Sequence, residues 1–99
     1  MSGTFLQTLG LAMCARELAT GEELVLQEVR SGKAHLVIIA EDASENTRKK
    51  MQAKCSSYNT PLLAYGSRQE LGHAIGKDER VTIAVLSKGF AKLLSSLAN

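Results

Sequence analysis

The sequence predicts an α/β protein: a three-layer α/β/α sandwich with a mixed four-stranded central sheet. Two observations carry that expectation. Segments of helical period alternate with short β-branched runs, the pattern of strand and helix units stacked with helices on both faces of a sheet. The composition is 44% hydrophobic but only 4% aromatic, so the core has to be built from Leu, Val, Ile and Ala. A chain of 99 residues fits one domain, and neither an internal repeat, a linker nor a low-complexity tract divides it.

The elements follow in order. The opening segment Met1–Leu11 carries Phe5, Leu6 and Leu9 but neither the basic start nor the long apolar run of a signal peptide, so it is expected to stay with the mature protein. Glu17–Thr20 reads as a weak strand. Glu22–Arg30 reads as a helix that Gly32 can end in the left-handed conformation. His35–Ala40 is the clearest strand. Ser44 suits the N-cap of the next helix, in which Thr47, Met51, Cys55 and Tyr58 recur at helical spacing and Arg48, Lys49, Lys50 and Lys54 take the other faces. Pro61, the only proline, precedes a third strand at Leu62–Tyr65, a position where its missing donor is tolerated. Ser67 and Glu70 form the sequence pattern of a capping box, opening a short helix with Leu71, Ala74 and Ile75 on one stripe and Gly76 at its end. Val81–Leu86 is the fourth strand. Phe90, Leu93, Leu94 and Leu97 would face one side of a closing helix.

Composition narrows the function classes. Twelve Lys and Arg against ten Asp and Glu give a formal charge of +2, too little for a protein that coats nucleic acid without selectivity, so any nucleic-acid site must be local. Cys14 and Cys55 are far apart with no Cys-x-x-Cys or Cys/His cluster beside them, which argues against a disulfide framework or a zinc site and for reduced thiols. The longest apolar run, Leu36–Ala40, is far shorter than the ~20 residues of a membrane span. No hydrolase, kinase or dinucleotide motif assembles, because Gly66, Gly72 and Gly76 lack the strand–GxGxxG–helix context and no Ser, Cys or His has a partner implied by spacing. No enzyme, cofactor or metal is therefore expected. His35 and His73 read as surface or boundary residues without assigned chemistry, and Arg48–Lys50 as the solvated face of a helix.

One segment supports two readings. In Thr20–Gly21–Glu22–Glu23, Thr20 could cap the following helix with Glu23 closing the box, and the first-turn acids would complement the helix dipole. The same helix start, with free N–H groups pointing outward, could also meet phosphate or a guanine edge, although the spacing by itself favours the cap.

The strand His35–Ala40 followed by Glu41–Asp42 resembles the ribosomal protein L-seven-Ae family. The resemblance extends through Gly21, Arg30–Ala34, Cys55, Thr60–Pro61 and Gly66–Gly72, covering roughly Leu6 to Leu97. It is similar in particular to the short bacterial YlxQ-like branch, through Gly21–Leu26, Asp42–Thr47 and Lys88–Lys92. The resemblance implies a cytoplasmic, non-enzymatic binder of structured RNA bent into a kink-turn, associated with the ribosome or another structured RNA, with no DNA or membrane partner. It implies Gly21, Glu22, Glu23 and Gln27 on one lip of the site, Tyr65, Gly66, Ser67 and Arg68 on the other, and Lys33, Glu41 and Asp42 as supporting contacts. Where the archaeal pattern runs Gly-x-Asn-Glu-x-x-Lys, this chain carries Glu23, Leu24 and Gln27 at the Asn, Glu and Lys positions. The alternative reading is a protein-interaction module on the same scaffold that has lost kink-turn binding.

Overall fold

The structure is a computed structural model that describes residues 2–98. Nine elements follow one another: α1 (Ser2–Cys14), β1 (Leu18–Thr20), α2 (Glu22–Arg30), β2 (Leu36–Ile39), α3 (Glu45–Ser57), β3 (Leu62–Ala64), α4 (Arg68–Ala74), β4 (Thr82–Val85) and α5 (Lys88–Ala98). The strands form one mixed sheet in the order β1-β4-β2-β3, with β2 and β3 parallel and the β1–β4 and β2–β4 pairs antiparallel. The two central strands, β2 and β4, are buried along their whole length. Such strands read as continuous β-branched runs because helices cover both of their faces.

Strand alternation divides the core into two layers. Leu36 and Ile38 of β2 with Ile83 and Val85 of β4 face α1, α4 and α5, packing on Phe5, Leu9, Leu71 and Leu94. Val37, Ile39 and Ala84 point the other way, onto Val25 and Val29 of α2 and Met51 and Cys55 of α3. A hydrophobic layer thus lies between the sheet and the helices on each of its faces, and this is the expected α/β/α sandwich.

Several local expectations are revised. The opening segment is a helix of 13 residues, where the sequence reading assigned no element. It bears no charged residue, and its Phe5, Leu9 and Ala12 are fully buried, so no polar stripe announces it. Thr20 does not cap α2. Its backbone is committed to β1, paired with Ile83, and Gly21 occupies the N-cap with no side-chain hydrogen bond. In α5 the buried positions are Ala91 and Leu94, with Phe90 and Leu97 packed partly against them, while Leu93 is exposed. Ser67 and Glu70 do form the capping box, and Ser44 accepts a bond from the Thr47 N–H at the start of α3.

Candidate functional site

Topology gathers four chain segments along one edge of the sheet. The C-terminal ends of β1, β2 and β3 and the N-terminal end of β4 all lie there, because β4 runs antiparallel to β1 and β2. Backbone hydrogen bonds lace this rim: Gly21 N–H donates to the Thr82 carbonyl at 3.3 Å, Ala40 N–H to Val81 at 2.9 Å, Tyr65 N–H to Ile39 at 3.0 Å and Glu41 N–H to Gly66 at 2.7 Å. Three strand spacings of about 4.8 Å separate the Gly21 end from the Gly66 end, a span of roughly 14 Å.

One lip is the start of α2. Gly21 holds φ +95° and ψ 143°, a conformation that a side chain rarely tolerates, and a Cβ added there would meet nothing within 4 Å. The backbone is thus open to approach from outside. Behind it, Glu23, Leu24 and Gln27 are exposed on one side of α2, Leu24 at 46%. Glu22 turns away to α3: Lys50 Nζ lies 2.7 Å from its Oε2 and Thr47 donates to its Oε1 at 3.4 Å. It serves as a tie between the two helices on that face of the sheet.

The other lip is the β3–α4 loop. Tyr65 stacks on buried Phe5 with ring centroids 3.8 Å apart and planes inclined by 18°, so one face of its ring is already covered. Gly66 and Ser67 lead into the capping box, where the Ser67 N–H donates to Glu70 at 2.9 Å and the Glu70 N–H to Ser67 Oγ at 3.1 Å. Arg68 is fixed to the middle of the rim. Its N–H donates to Asp42 Oδ1 at 3.0 Å, its Nη2 to the Asp42 carbonyl at 2.6 Å, and its Nε lies 3.5 Å from Asp42 Oδ2. Asp42 and Glu41 therefore tie the β3–α4 loop to α3, Glu41 receiving Arg48 Nη2 on its carbonyl at 2.9 Å.

Of the eleven residues singled out in the sequence, nine lie along this rim or in the first turn of α2, and Gln27 lies one turn further along that helix, exposed like Glu23. Lys33 lies elsewhere. It follows the C-terminus of α2, and a helix of nine residues is about 13 Å long, so it sits at the opposite end of the sheet. Sequence reasoning missed Arg48, Lys50 and Phe5, whose partners lie 7, 28 and 60 positions away in the chain. Arg48 and Lys50 are accordingly tethered at the rim, while Lys49 and Lys50 keep the expected exposed positions and Arg48 is half-buried. Burial pushes the Cys55 thiol above its ordinary pKa by desolvation, and Cys14 is exposed. Among the described residues no group of three or more His, Cys, Asp or Glu gathers as a metal site, and no helix is long and apolar enough to cross a membrane.

The sequence profile of the ribosomal protein L7Ae/L30e/S12e/Gadd45 family matches residues 4–95. The "RNA-binding protein YlxQ" of Bacillus subtilis is 49% identical over 90% of this chain and 89% of its own. The "large ribosomal subunit protein eL30" of Candida albicans is 32% identical over 90% of this chain and 86% of its own. A solved structure of a protein of unknown function from Bacillus halodurans superposes with a TM-score of 0.93 at 49% identity, covering 95% of both chains.

Proposed function

Because this chain belongs to the ribosomal protein L7Ae/L30e/S12e/Gadd45 family, we propose that it is a cytoplasmic, non-enzymatic protein that binds structured RNA of the kink-turn type, on the ribosome or on another structured RNA. The RNA would meet the rim between Gly21 and Arg68. The observation that carries the proposal is the uncapped start of α2: a helix N-terminus whose capping residue is a glycine at positive φ with open space around it. Free N–H groups there can face phosphate or a guanine edge, and the missing side chain lets the RNA backbone come close. Glu23 can accept from guanine N–H groups and Gln27 can donate or accept. The loop Tyr65–Arg68 stands roughly 14 Å across the rim, stiffened by its capping box and by Arg68 on Asp42, and can support an extruded nucleotide.

Recognition of a sharply bent shape suits a protein of small net charge, because it draws on few phosphates. The test is direct titration of a kink-turn hairpin against the same RNA with its bulge removed. Selective binding of the bent RNA supports the proposal. Protein that purifies free of RNA, discriminates neither hairpin and carries down a single protein partner would replace it with the interaction-module reading, for which exposed Leu24 on the lip is the structural opening.

A further inference from the structure

The charges of this chain are segregated along the strand direction. Toward the N-terminal ends of β2 and β3, opposite the rim, lie Arg16, Arg30, Lys33, Lys54, Lys88 and Lys92 against only Glu17 and Glu28, a net charge of +4. The rim half holds the other six Lys and Arg and the other eight Asp and Glu, a net charge of −2, and the two halves together restore the +2 of the sequence. The half that presents the candidate RNA site is thus the acidic one.

The two halves also use their cations differently. On the rim side Lys50 is paired with Glu22, Arg68 with Asp42, and Arg48 and Arg80 donate to backbone carbonyls. Among the described residues no ion pair or side-chain hydrogen bond involves Lys33, Lys88 or Lys92. Lys88 and Lys92 stand four positions apart on α5 and line a shallow groove with His35, Pro61, Ala91 and Ser95, into which no carboxylate projects. Helix stability does not explain them. A like-charged pair at this spacing is unfavourable, and cations in a first turn oppose the helix dipole. The helices α2, α3 and α4 all place an acid in that turn, while α5 has none there.

We propose that this groove, lined by Lys88, Lys92 and His35, is a second RNA-contact surface that takes the phosphate backbone of a double-stranded segment. Free cations in a region of uncompensated positive potential supply what a phosphodiester backbone requires, and they carry no base-reading groups. The groove lies at the far end of a molecule only 31 × 27 × 24 Å across. A compact RNA element held at the rim therefore leaves it to a second segment, and the protein would hold two parts of one folded RNA together. The choice of RNA as the partner rests on the reading of the family given above; the location of the surface does not.

The experiment uses the intact protein and two probes, a bulge-free RNA duplex and a kink-turn hairpin with short arms. The double change Lys88→Glu/Lys92→Glu is expected to weaken duplex binding at least about tenfold and to flatten the dependence of log affinity on log salt by about 2. Hairpin binding should stay within about twofold of the unaltered protein. Lys88→Arg/Lys92→Arg should keep duplex binding, and the matched reversal Lys49→Glu/Lys77→Glu on the rim half should cost less than roughly threefold, as a long-range field effect screened by salt. All four altered positions are exposed, and thermal melts confirm that each variant folds. Absence of duplex binding at low salt, or equal loss with the matched reversal, overturns the proposal. Loss of hairpin binding from the unaltered protein, with lysine-dependent duplex binding retained, would overturn the kink-turn reading and leave this surface standing.

Discussion

Substituting Gly21 by alanine separates a structural glycine from one that meets RNA. An added Cβ at this position has nothing within 4 Å, so no internal clash arises, and the structural cost comes from the backbone alone. At φ +95° and ψ 143° a non-glycine residue is strained by roughly 1–3 kcal/mol. If the chain relaxes instead, it gives up the long 3.3 Å bond from Gly21 to Thr82, worth about 0.5–1.5 kcal/mol, so the total stays in the same range. For a domain of this size each kcal/mol lowers Tm by about 4–8 °C. Gly32 is the matched control: it has φ +78°, equally open surroundings, and a place at the other end of α2. Its alanine variant should lose roughly 1–2 kcal/mol for the left-handed backbone. Thermal or urea unfolding should thus find both variants folded and comparably weakened. Titration of a kink-turn hairpin should find that Gly21→Ala binds at least about tenfold more weakly, some 1.4 kcal/mol, with Gly32→Ala unchanged. Wild-type affinity in Gly21→Ala, or the same loss in both variants, would show that Gly21 is a structural glycine with no RNA beside it.

Three further expectations follow from other parts of the molecule. The triple change Glu23→Asn, Leu24→Glu, Gln27→Lys alters only exposed side chains of α2 and should tighten calorimetric binding to a standard kink-turn by about tenfold, given about 1–3 kcal/mol for each good directional contact; no change would mean that other residues read the RNA. Ser67→Ala removes one half of the capping box and should cost about 0.5–2 kcal/mol in urea unfolding, because the Glu70 N–H loses its acceptor. Burial raises the Cys55 pKa in the folded state, so its contribution is intact below the ordinary thiol range near about 8.5 and is lost as pH rises above it. Alkaline unfolding should accordingly be steeper for the unaltered protein than for Cys55→Ala, and a thiol reagent should modify exposed Cys14 well before Cys55.

What the sequence made legible is what short-range physics controls. The bounds of α2, the Ser67 capping box and the two buried strands each follow from spacing within about ten residues. What stayed hidden depended on partners distant in the chain. α1 shows little amphipathic contrast because its exposed face carries Leu11 and Cys14 beside Thr4 and Gln7, opposite the buried Phe5, Leu9 and Ala12. The residues Thr20–Glu23 fit a capping box by spacing, but pairing of Thr20 with Ile83, 63 positions on, withdraws it from that role and passes the N-cap to Gly21. Likewise, three of the four segments named for the site, the α2 start, Glu41–Asp42 and Tyr65–Arg68, meet on one rim because strand ends coincide there. Lys33, close to Gly21 in sequence, is carried to the opposite end by the length of α2. Arg48 and Lys50 belong to the rim for the converse reason, reaching Glu41 and Glu22 across the turn between β2 and α3 and across the α2–α3 contact. A run of basic residues in one helix gave no sign of those partners.

If RNA is held along the rim from the start of α2 to the start of α4, amide chemical shifts followed during titration with a kink-turn hairpin will trace that edge. The largest changes should fall on Gly21–Leu24, Glu41–Asp42 and Gly66–Arg68, three stretches far apart in the chain that share one edge of the sheet. Saturable changes confined to other surfaces, with these amides unmoved, would contradict that placement.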